Sequence, residues 1–495
     1  MAPVITAMDH RRLCYDPERD GALQDFLFNE GVEFPCGGTS LCGGCRIRVV
    51  SGNLPATAKM QDVLTERDLH AGWRLACRAE AHGPVELEVA QWSQQILTDE
   101  AVVPFEPRPG IGVVVDVGTT TLVVQQVNLA SGEVIRVVTA LNDQRRRGAD
   151  VMTRIGYELR HPGELREIIH AQVRAMVANM GPLEEILLVG NTCMHHLFCG
   201  LSVEPLSAMP FRSPHLGAQT LPPSVLGAEA VFLPCAGGFV GSDLLAGLVA
   251  TGLLDSPERG ALLDLGTNGE IAVGNRDGIM CASTAAGPAF EGGRITQGMR
   301  AGQGAIDRVT LRDGALACHV IGGAAPRGLC GSGLVDAVAA ALDLGWIAPD
   351  GHLTDACRDI KLAAEVRLTQ SDIRELQLAK GAVAAGLRLL SQDQPIQGER
   401  MFLAGAFGNY IRAESARRIS LLPPWATAPV AAGNTALRGA RMLLLAPSSR
   451  GAILGRCMAT VRHVELAGDL LFEQTFVECL QLAETHLGDC DGLRM

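Results

Sequence analysis

Four cysteines pose the first chemical question. Cys36, Cys42 and Cys45 share one loop, CGGTSLCGGC, and Cys77 follows in RLACRA, giving the spacing C-x5-C-x2-C-x31-C. Three thiolates on one loop with a distant fourth can enclose an iron-sulfur cluster, and Gly37, Gly38, Gly43 and Gly44 permit the dihedrals and close approach this requires. A structural zinc site is the alternative, although zinc ribbons commonly use two C-x2-C knuckles. The other cysteines, among them Cys193, Cys199, Cys235, Cys281, Cys318 and Cys330, form no further C-x2-C pair and read as small buried hydrophobes.

Two carboxylate turns pose the second question. Asp116-Val-Gly118-Thr119-Thr120-Thr121 and Asp264-Leu-Gly266-Thr267-Asn268-Gly269-Glu270 each join two apolar runs. A carboxylate at a strand end can hold magnesium through water, glycine lets amides approach phosphate, and threonine hydroxyls can donate to it. One such turn reads as an ordinary hairpin; two, each leading a copy of the same pattern, point to phosphate. Further glycine clusters at 287–293 (GPAFEGG), 328–333 (GLCGSG) and 403–410 (LAGAFGNY) read either as nucleotide-enclosing loops or as tight turns.

The elements that must position these groups fall into two parts. Residues 1–93 read as a small α+β unit, with strands in Arg46-Ile47-Arg48-Val49 and Glu86-Leu87-Glu88-Val89 and a short helix from Gly21 to Glu30 stopped by Gly31. The three prolines of AVVPFEPRPG predict a semi-extended linker at 94–110. Residues 111–495 read as α/β. Gly112 to Leu141 predicts a three-stranded meander, ALLDLGTNGEIAVGNRDGIMCASTAA repeats it from Ala261, and helical stretches follow from Gly163 to Met180, Gly333 to Leu344 and Thr369 to Leu390. Two duplicated halves, about 111–200 and 230–495, are the simplest arrangement.

Charge narrows the field. With 42 basic against 54 acidic residues the net charge of -12 repels nucleic acid and anionic membrane faces. Lys59, Lys361 and Lys380 are the only lysines and none stands in a Walker-type phosphate loop. The quietest stretch, Ile186 to Val203, contains Asn191, Thr192, His195 and His196 and would span a bilayer poorly. No basic n-region opens the sequence, so a cytoplasmic location is expected, and the odd count of 15 cysteines fits thiols or metal ligands rather than a disulfide framework. Adjacent His195 and His196 point apart and read as core histidines. Arg145-Arg146-Arg147 reads as a solvated turn, and Lys380 equally as an adenine contact or a helix-surface lysine.

The N-terminal segment resembles a β-grasp 2Fe-2S ferredoxin, with a first gap of five residues where the plant type has four. The two D-[VL]-G-T turns, LLVGNTCMHH, FLAGAFGNYI and GNTALRGA resemble, in order, the phosphate, connecting and adenosine segments of the superfamily of acetate and sugar kinases, heat-shock chaperone ATPases and actin, which implies a duplicated ribonuclease-H-like ATPase domain. Together, over nearly the whole chain, they resemble the ATP-dependent reductive activators of corrinoid proteins. The resemblance implies a 2Fe-2S cluster on Cys36, Cys42, Cys45 and Cys77, with ATP and magnesium as further cofactors. It assigns Asp116, Gly118, Thr119 and Thr120 to the first phosphate turn, Asp264, Gly266, Thr267 and Asn268 to the second, and Gly405 and Gly408 to the adenosine. Asp243, in GGFVGSD, is the candidate for orienting the attacking water and Glu270 its competitor; either reads equally as an N-cap or surface carboxylate.

The implied activity is one-electron transfer from the cluster to Co(II) of a corrinoid protein in a methyltransferase system, giving Co(I), with a low-potential donor restoring the cluster. A plant-type centre lies near about -400 mV, and a shortfall of roughly 250 mV against Co(I) formation corresponds to about 6 kcal/mol, so nucleotide must distinguish two states. Known members carry a middle domain between linker and ATPase, which this chain is expected to lack, and a homodimer is left open. An ATP-gated donor to another low-potential enzyme, a metabolite kinase with a regulatory redox domain, and a binding-only redox sensor are the alternatives.

Overall fold

The computed structural model describes residues 10–30, 32, 45–61, 63–64, 66–90, 101–266, 268–312, 314–354, 358–363, 365–392 and 396–483. The chain divides into two units, a smaller one of residues 1–95, 287–379 and 481–495 and a larger one of residues 96–286 and 380–480.

In the smaller unit, β1 (His10–Tyr15), β2 (Arg46–Ser51), β3 (Trp73–Leu75) and β4 (Val85–Ala90) form an antiparallel sheet in the order β1-β4-β2-β3. Ile47 and Leu87, inward members of the two alternating runs, are buried beside Leu75 and Leu27, which the helix Leu23–Asn29 supplies. Alternation with one face against a helix is what this small ferredoxin-type sheet requires.

The larger unit holds two six-stranded sheets. In the first, β5 (Ile111–Val117), β6 (Thr121–Asn128) and β7 (Val134–Leu141) form the expected meander. Next, β8 (Glu185–Val189) runs parallel to β5, β9 (Gln219–Leu221) takes the edge, and β10 (Ala230–Phe232) lies between them parallel to β8, giving the order β7-β6-β5-β8-β10-β9. The second sheet opens with the repeated meander of β11 (Gly260–Leu265), β12 (Gly269–Asn275) and β13 (Gly278–Thr284).

The chain then enters residues 287–379 of the smaller unit. There it forms the sheet of β14 (Ala305–Arg312), β15 (Ala315–Val320) and β16 (Gly328–Leu329), the helix Gly331–Asp343 and the hairpin of β17 (Asp359–Ala363) and β18 (Val366–Thr369). The second sheet resumes with β19 (Met401–Ala404) and β20 (Val430–Gly433), both parallel to β11, and β21 (Val461–His463), giving β20-β19-β11-β12-β13-β21. A meander followed by parallel strands on its first strand is common to both sheets. That is the duplication read from the sequence, and it is ribonuclease-H-like as the resemblance implied. The expected end of the first half near residue 200 is too early, because β9 and β10 pair within the first sheet; at three residues each they were too short to show periodicity.

Alternate residues of β5 serve two cores. Val113, Val115 and Val117 pack with Leu165, Ile169 and Val173 of the helix Glu164–Val177, while Val114 packs with Leu187, Ala440, Leu443 and Leu444. The last three belong to the helix Thr435–Leu445, from the second half of the sequence. Reciprocally, the helix Ser242–Thr251 from the first half sends Leu244, Leu245 and Leu248 against Leu262 and Ala272 of the second sheet. Burial on both faces is why β5 and β8 read as continuous apolar runs. Of the expected linker, residues 94–100 lie outside the described residues, and Ala101–Gly110, which forms neither helix nor strand, is docked: Glu106 N–H donates to the Leu445 carbonyl at 2.8 Å, Ser448 Oγ donates to Glu106 at 2.6 Å, and Arg108 pairs with Glu185 at 2.8 Å.

The two exchanged helices cross where side chains are smallest. A Cβ on Gly439 would lie 1.9 Å from the Ala246 carbonyl oxygen. Gly439→Ala is therefore expected to cost about 2 kcal/mol or more of stability, since that oxygen cannot yield without moving a helix. Gly455→Ala, where the added carbon meets nothing within 4 Å, serves as the control and should leave the thermal midpoint unchanged or slightly raised. Equal midpoints for wild type and Gly439→Ala would contradict the crossing.

Candidate functional site

The two turns occupy equivalent places, Asp116 near the end of β5 and Asp264 near the end of β11. In the first, Gly118 N–H donates to the Thr121 carbonyl at 3.1 Å, and a Cβ on Gly118 would lie 2.5 Å from that oxygen, so glycine is required. Thr119 is buried and its hydroxyl accepts from Asn191, whereas Thr120 is half-exposed. In the second turn Gly266 N–H donates to the Asn268 carbonyl at 3.1 Å, and Thr267 lies outside the described residues. Gly405, at φ +79°, would place a Cβ 2.6 Å from Asp264 Oδ1, so it stands against the carboxylate, and Gly408 closes the same helical turn.

Asp116, Asp243, Asp264 and Glu270 are half-buried, and among the described residues none forms an ion pair. Burial, with the Asp116 charge adding to it, pushes Asp264 up to about 7. Burial also lifts Asp243 to about 7, against its bond from Leu244 N–H and with the charges of Asp264 and Asp116 behind it. Asp116 rises to about 6 through burial, restrained by Asn434. Glu270 is held well above the carboxylate range by burial and then by Asp243 and Asp264. Carboxylates that raise one another share one site, and such a site suits a cation. Among the described residues no three Asp, Glu, His or Cys side chains converge to hold a metal directly. Magnesium would therefore be held here through its water shell, the mode in which this reluctantly dehydrated ion is commonly bound.

Two asparagines complete the site, and the sequence reading missed their role. Asn191 accepts from Met194 N–H at 3.0 Å at the start of the helix Thr192–Cys199 and donates to Thr119 Oγ1 at 2.7 Å. Asn434 accepts from Leu437 N–H at 2.9 Å at the start of the helix Thr435–Leu445 and donates to Asp116 Oδ2 at 3.0 Å. Each caps a helix and ties its end to the first turn. The signal was the repeated Gly-Asn-Thr triplet, at 190–192 and 433–435, each after a parallel strand.

GPAFEGG and GLCGSG fall in the smaller unit, and Gly333 answers a packing need there, since a Cβ would lie 2.1 Å from the Ile306 carbonyl oxygen. Lys380 is fully buried, not a helix-surface lysine. Arg145 is buried, not part of a solvated turn, while Arg147 pairs with Glu164 at 2.8 Å over the Tyr157 ring. His195 and His196 are core residues, His195 against the Phe232 ring and His196 bonded to Ser213 Oγ at 2.6 Å.

Of the four cluster thiols, Cys36 and Cys42 lie outside the described residues. Cys45 and Cys77 are buried in one core, at the foot of the β2–β3 ladder where Ala76 N–H donates to the Cys45 carbonyl at 2.8 Å. The pairing brings the third and fourth expected ligands to one place, which fits the cluster.

The raised carboxylates give a pH signature. A folded-state value above the ordinary one favours the nucleotide-free fold at low pH, and that contribution is lost as pH rises through about 7 for Asp243 and Asp264. Magnesium-nucleotide binding should release protons at about pH 6.5 and scarcely any at about pH 8.5, measured by calorimetry in buffers of different ionisation heat. Equal release at both values would contradict the assignment.

Comparison with known proteins places these observations. The model described as "C-terminal domain of RACo the ASKHA domain" matches residues 258–493, "RACo middle region" matches 111–256, and "2Fe-2S iron-sulfur cluster binding domain" matches 9–82. The last decides against zinc. The second corrects the expectation that the middle domain is missing: residues 111–256, which carry the first sheet, match the model of that region. "Corrinoid activation enzyme RamQ" of Eubacterium limosum is 35% identical over 434 residues, covering 77% of this chain and 73% of the relative. A Methanosarcina barkeri reductase, named for the Co(II) form of a methylated amine-specific corrinoid protein, is 28% identical over 387 residues, 68% of this chain and 70% of that one. The solved structure of a "Reductive activator for corrinoid,iron-sulfur protein" shares the fold, with a TM-score of 0.68 and 24% identity over 94% of this chain and 96% of the other. The three matches, in this order along the chain, and the 35% identity to the first of these relatives make this protein a member of the RACo family.

Proposed function

We propose that this chain couples Mg-ATP hydrolysis to the one-electron reduction of a corrinoid protein's cobalt from Co(II) to Co(I). The observation that carries the reading is the union, in one chain, of a 2Fe-2S domain with a paired carboxylate site that has no counter-ion among the described residues. The cluster, held by Cys36, Cys42, Cys45 and Cys77, supplies a one-electron carrier, and magnesium neutralises phosphate charge. Asp116 and Asp264 would hold magnesium through its water ligands. Asp243, near 7, has the basicity suited to taking a proton from the attacking water, whereas Glu270, which burial and then Asp243 and Asp264 push well above the carboxylate range, keeps a proton more readily and is suited to donate a hydrogen bond. The reading extends to a corrinoid protein of a methyltransferase system as partner and a low-potential protein as donor. No described helix is long and apolar enough to cross a membrane, and buried thiols such as Cys193, Cys281 and Cys457 are unpaired, which supports a cytoplasmic site of action.

Asp116→Ala and Asp264→Ala should each lower magnesium-dependent ATP hydrolysis about a hundredfold while the cluster absorption stays intact. Unchanged hydrolysis in both would remove the site. The coupled reading further predicts that a corrinoid protein in its Co(II) state accelerates release of inorganic phosphate, followed anaerobically with a phosphate-binding reporter. Phosphate found instead on a metabolite would favour a kinase, and hydrolysis indifferent to the corrinoid protein would contradict the coupling.

A further inference from the structure

Arg154, on the helix Val151–Glu158, is fully buried yet bonded only to neutral acceptors. Its Nε donates to the Gly148 carbonyl at 3.0 Å, Nη1 to Gln144 Oε1 at 3.2 Å and the Met194 sulfur at 3.3 Å, and Nη2 to the Thr119 carbonyl. Among the described residues no carboxylate lies at ion-pair distance from it. Asp150 acts from farther off, its Oδ1 accepting from Thr153 N–H, while the Arg145 charge opposes. Burial pulls the guanidinium down to about 9, so it remains charged near neutrality. An uncompensated buried charge costs the fold stability, and the partner an arginine fork suits best is a carboxylate or a phosphate.

The neighbouring turn supplies the reason for that charge. The Gly118 carbonyl accepts from Asn142 Nδ2 at 2.9 Å, the Thr119 carbonyl from Arg154, and the Thr120 carbonyl from Asn142 N–H at 2.9 Å. In a planar trans peptide the C=O and the following N–H point to opposite sides. Drawing the Thr119 carbonyl toward Arg154 therefore turns the Thr120 N–H the other way, and polarising that carbonyl strengthens the amide as a donor.

We propose that Arg154 is a positioning residue for the nucleotide: it pins the Thr119 carbonyl and sets a positive charge behind the first turn, so that the turn presents polarised amides to phosphate. The inference rests on the reading of that turn as a phosphate site.

Two variants test it. Arg154→Lys keeps a charge and loses the fork. Gln144→Glu keeps Arg154 and places a carboxylate where its Nη1 now meets a neutral oxygen, supplying the missing counter-ion. In both, the calorimetric dissociation constant of Mg-ATP should rise about tenfold or more, with KM for hydrolysis rising alongside it. Thermal unfolding and cluster absorption report whether each variant is folded, and either folded variant alone decides the matter. A merely structural arginine predicts wild-type affinity and KM in folded Gln144→Glu, and that result, or wild-type affinity in Arg154→Lys, overturns the proposal. Wild-type protein that binds no Mg-ATP would instead remove the phosphate reading beneath it.

Discussion

The close crossing of two helices at Gly439 and Ala246 is the constraint on which the larger unit depends. Each helix comes from one half of the sequence and packs on the sheet of the other, so neither half completes its core alone. The crossing also makes the site: Asp243 stands in the first turn of one helix, and Asn434 caps the other while holding Asp116. At its far end the second helix holds the segment Ala101–Gly110, through the Leu445 carbonyl and through Arg441, which donates to the Ala101 carbonyl. A single element thus touches the first carboxylate at one end and, at the other, the segment that follows the ferredoxin-type sheet in the chain.

Charge is the second constraint. Burial denies these carboxylates water, Asp243, Asp264 and Glu270 are lifted further by neighbouring carboxylates, and among the described residues no basic side chain forms an ion pair with them. Behind the first turn the sign reverses, with Arg154 buried among neutral acceptors. Acid on one side and guanidinium on the other is a separation the folded chain tolerates at a cost in stability, and in the proposed function a hydrated cation together with phosphate would offset it. Nucleotide binding should therefore change the stability of this unit strongly, as an energy-coupling site requires.

Much of this was legible in the sequence because it is written locally. The cysteine spacing, the two D-x-G-T turns and the repeated apolar runs each lie within a few residues, and the strands and helices appear where their periodicity placed them. What was not legible depends on contacts between distant residues. Arg145 read as part of a solvated turn, and Lys380 equally as an adenine contact or a helix-surface lysine, because a single sequence shows no burial. The reach of the first half was underestimated because β10 is only three residues long and pairs with β8 across a long excursion. Asn191 and Asn434 could have been found from their repeated triplet, but their bonds to Thr119 and Asp116 follow only from the fold.

The central claim is that nucleotide in the larger unit governs delivery of an electron that the ferredoxin-type part carries. The most direct measurement starts from chemically reduced protein under strict anaerobiosis, mixed with a Co(II) corrinoid protein in the presence or absence of Mg-ATP, and follows the Co(I) absorption spectrum. The account predicts Co(I) with Mg-ATP and little without it. Equal rates and yields of Co(I) in both samples would contradict it.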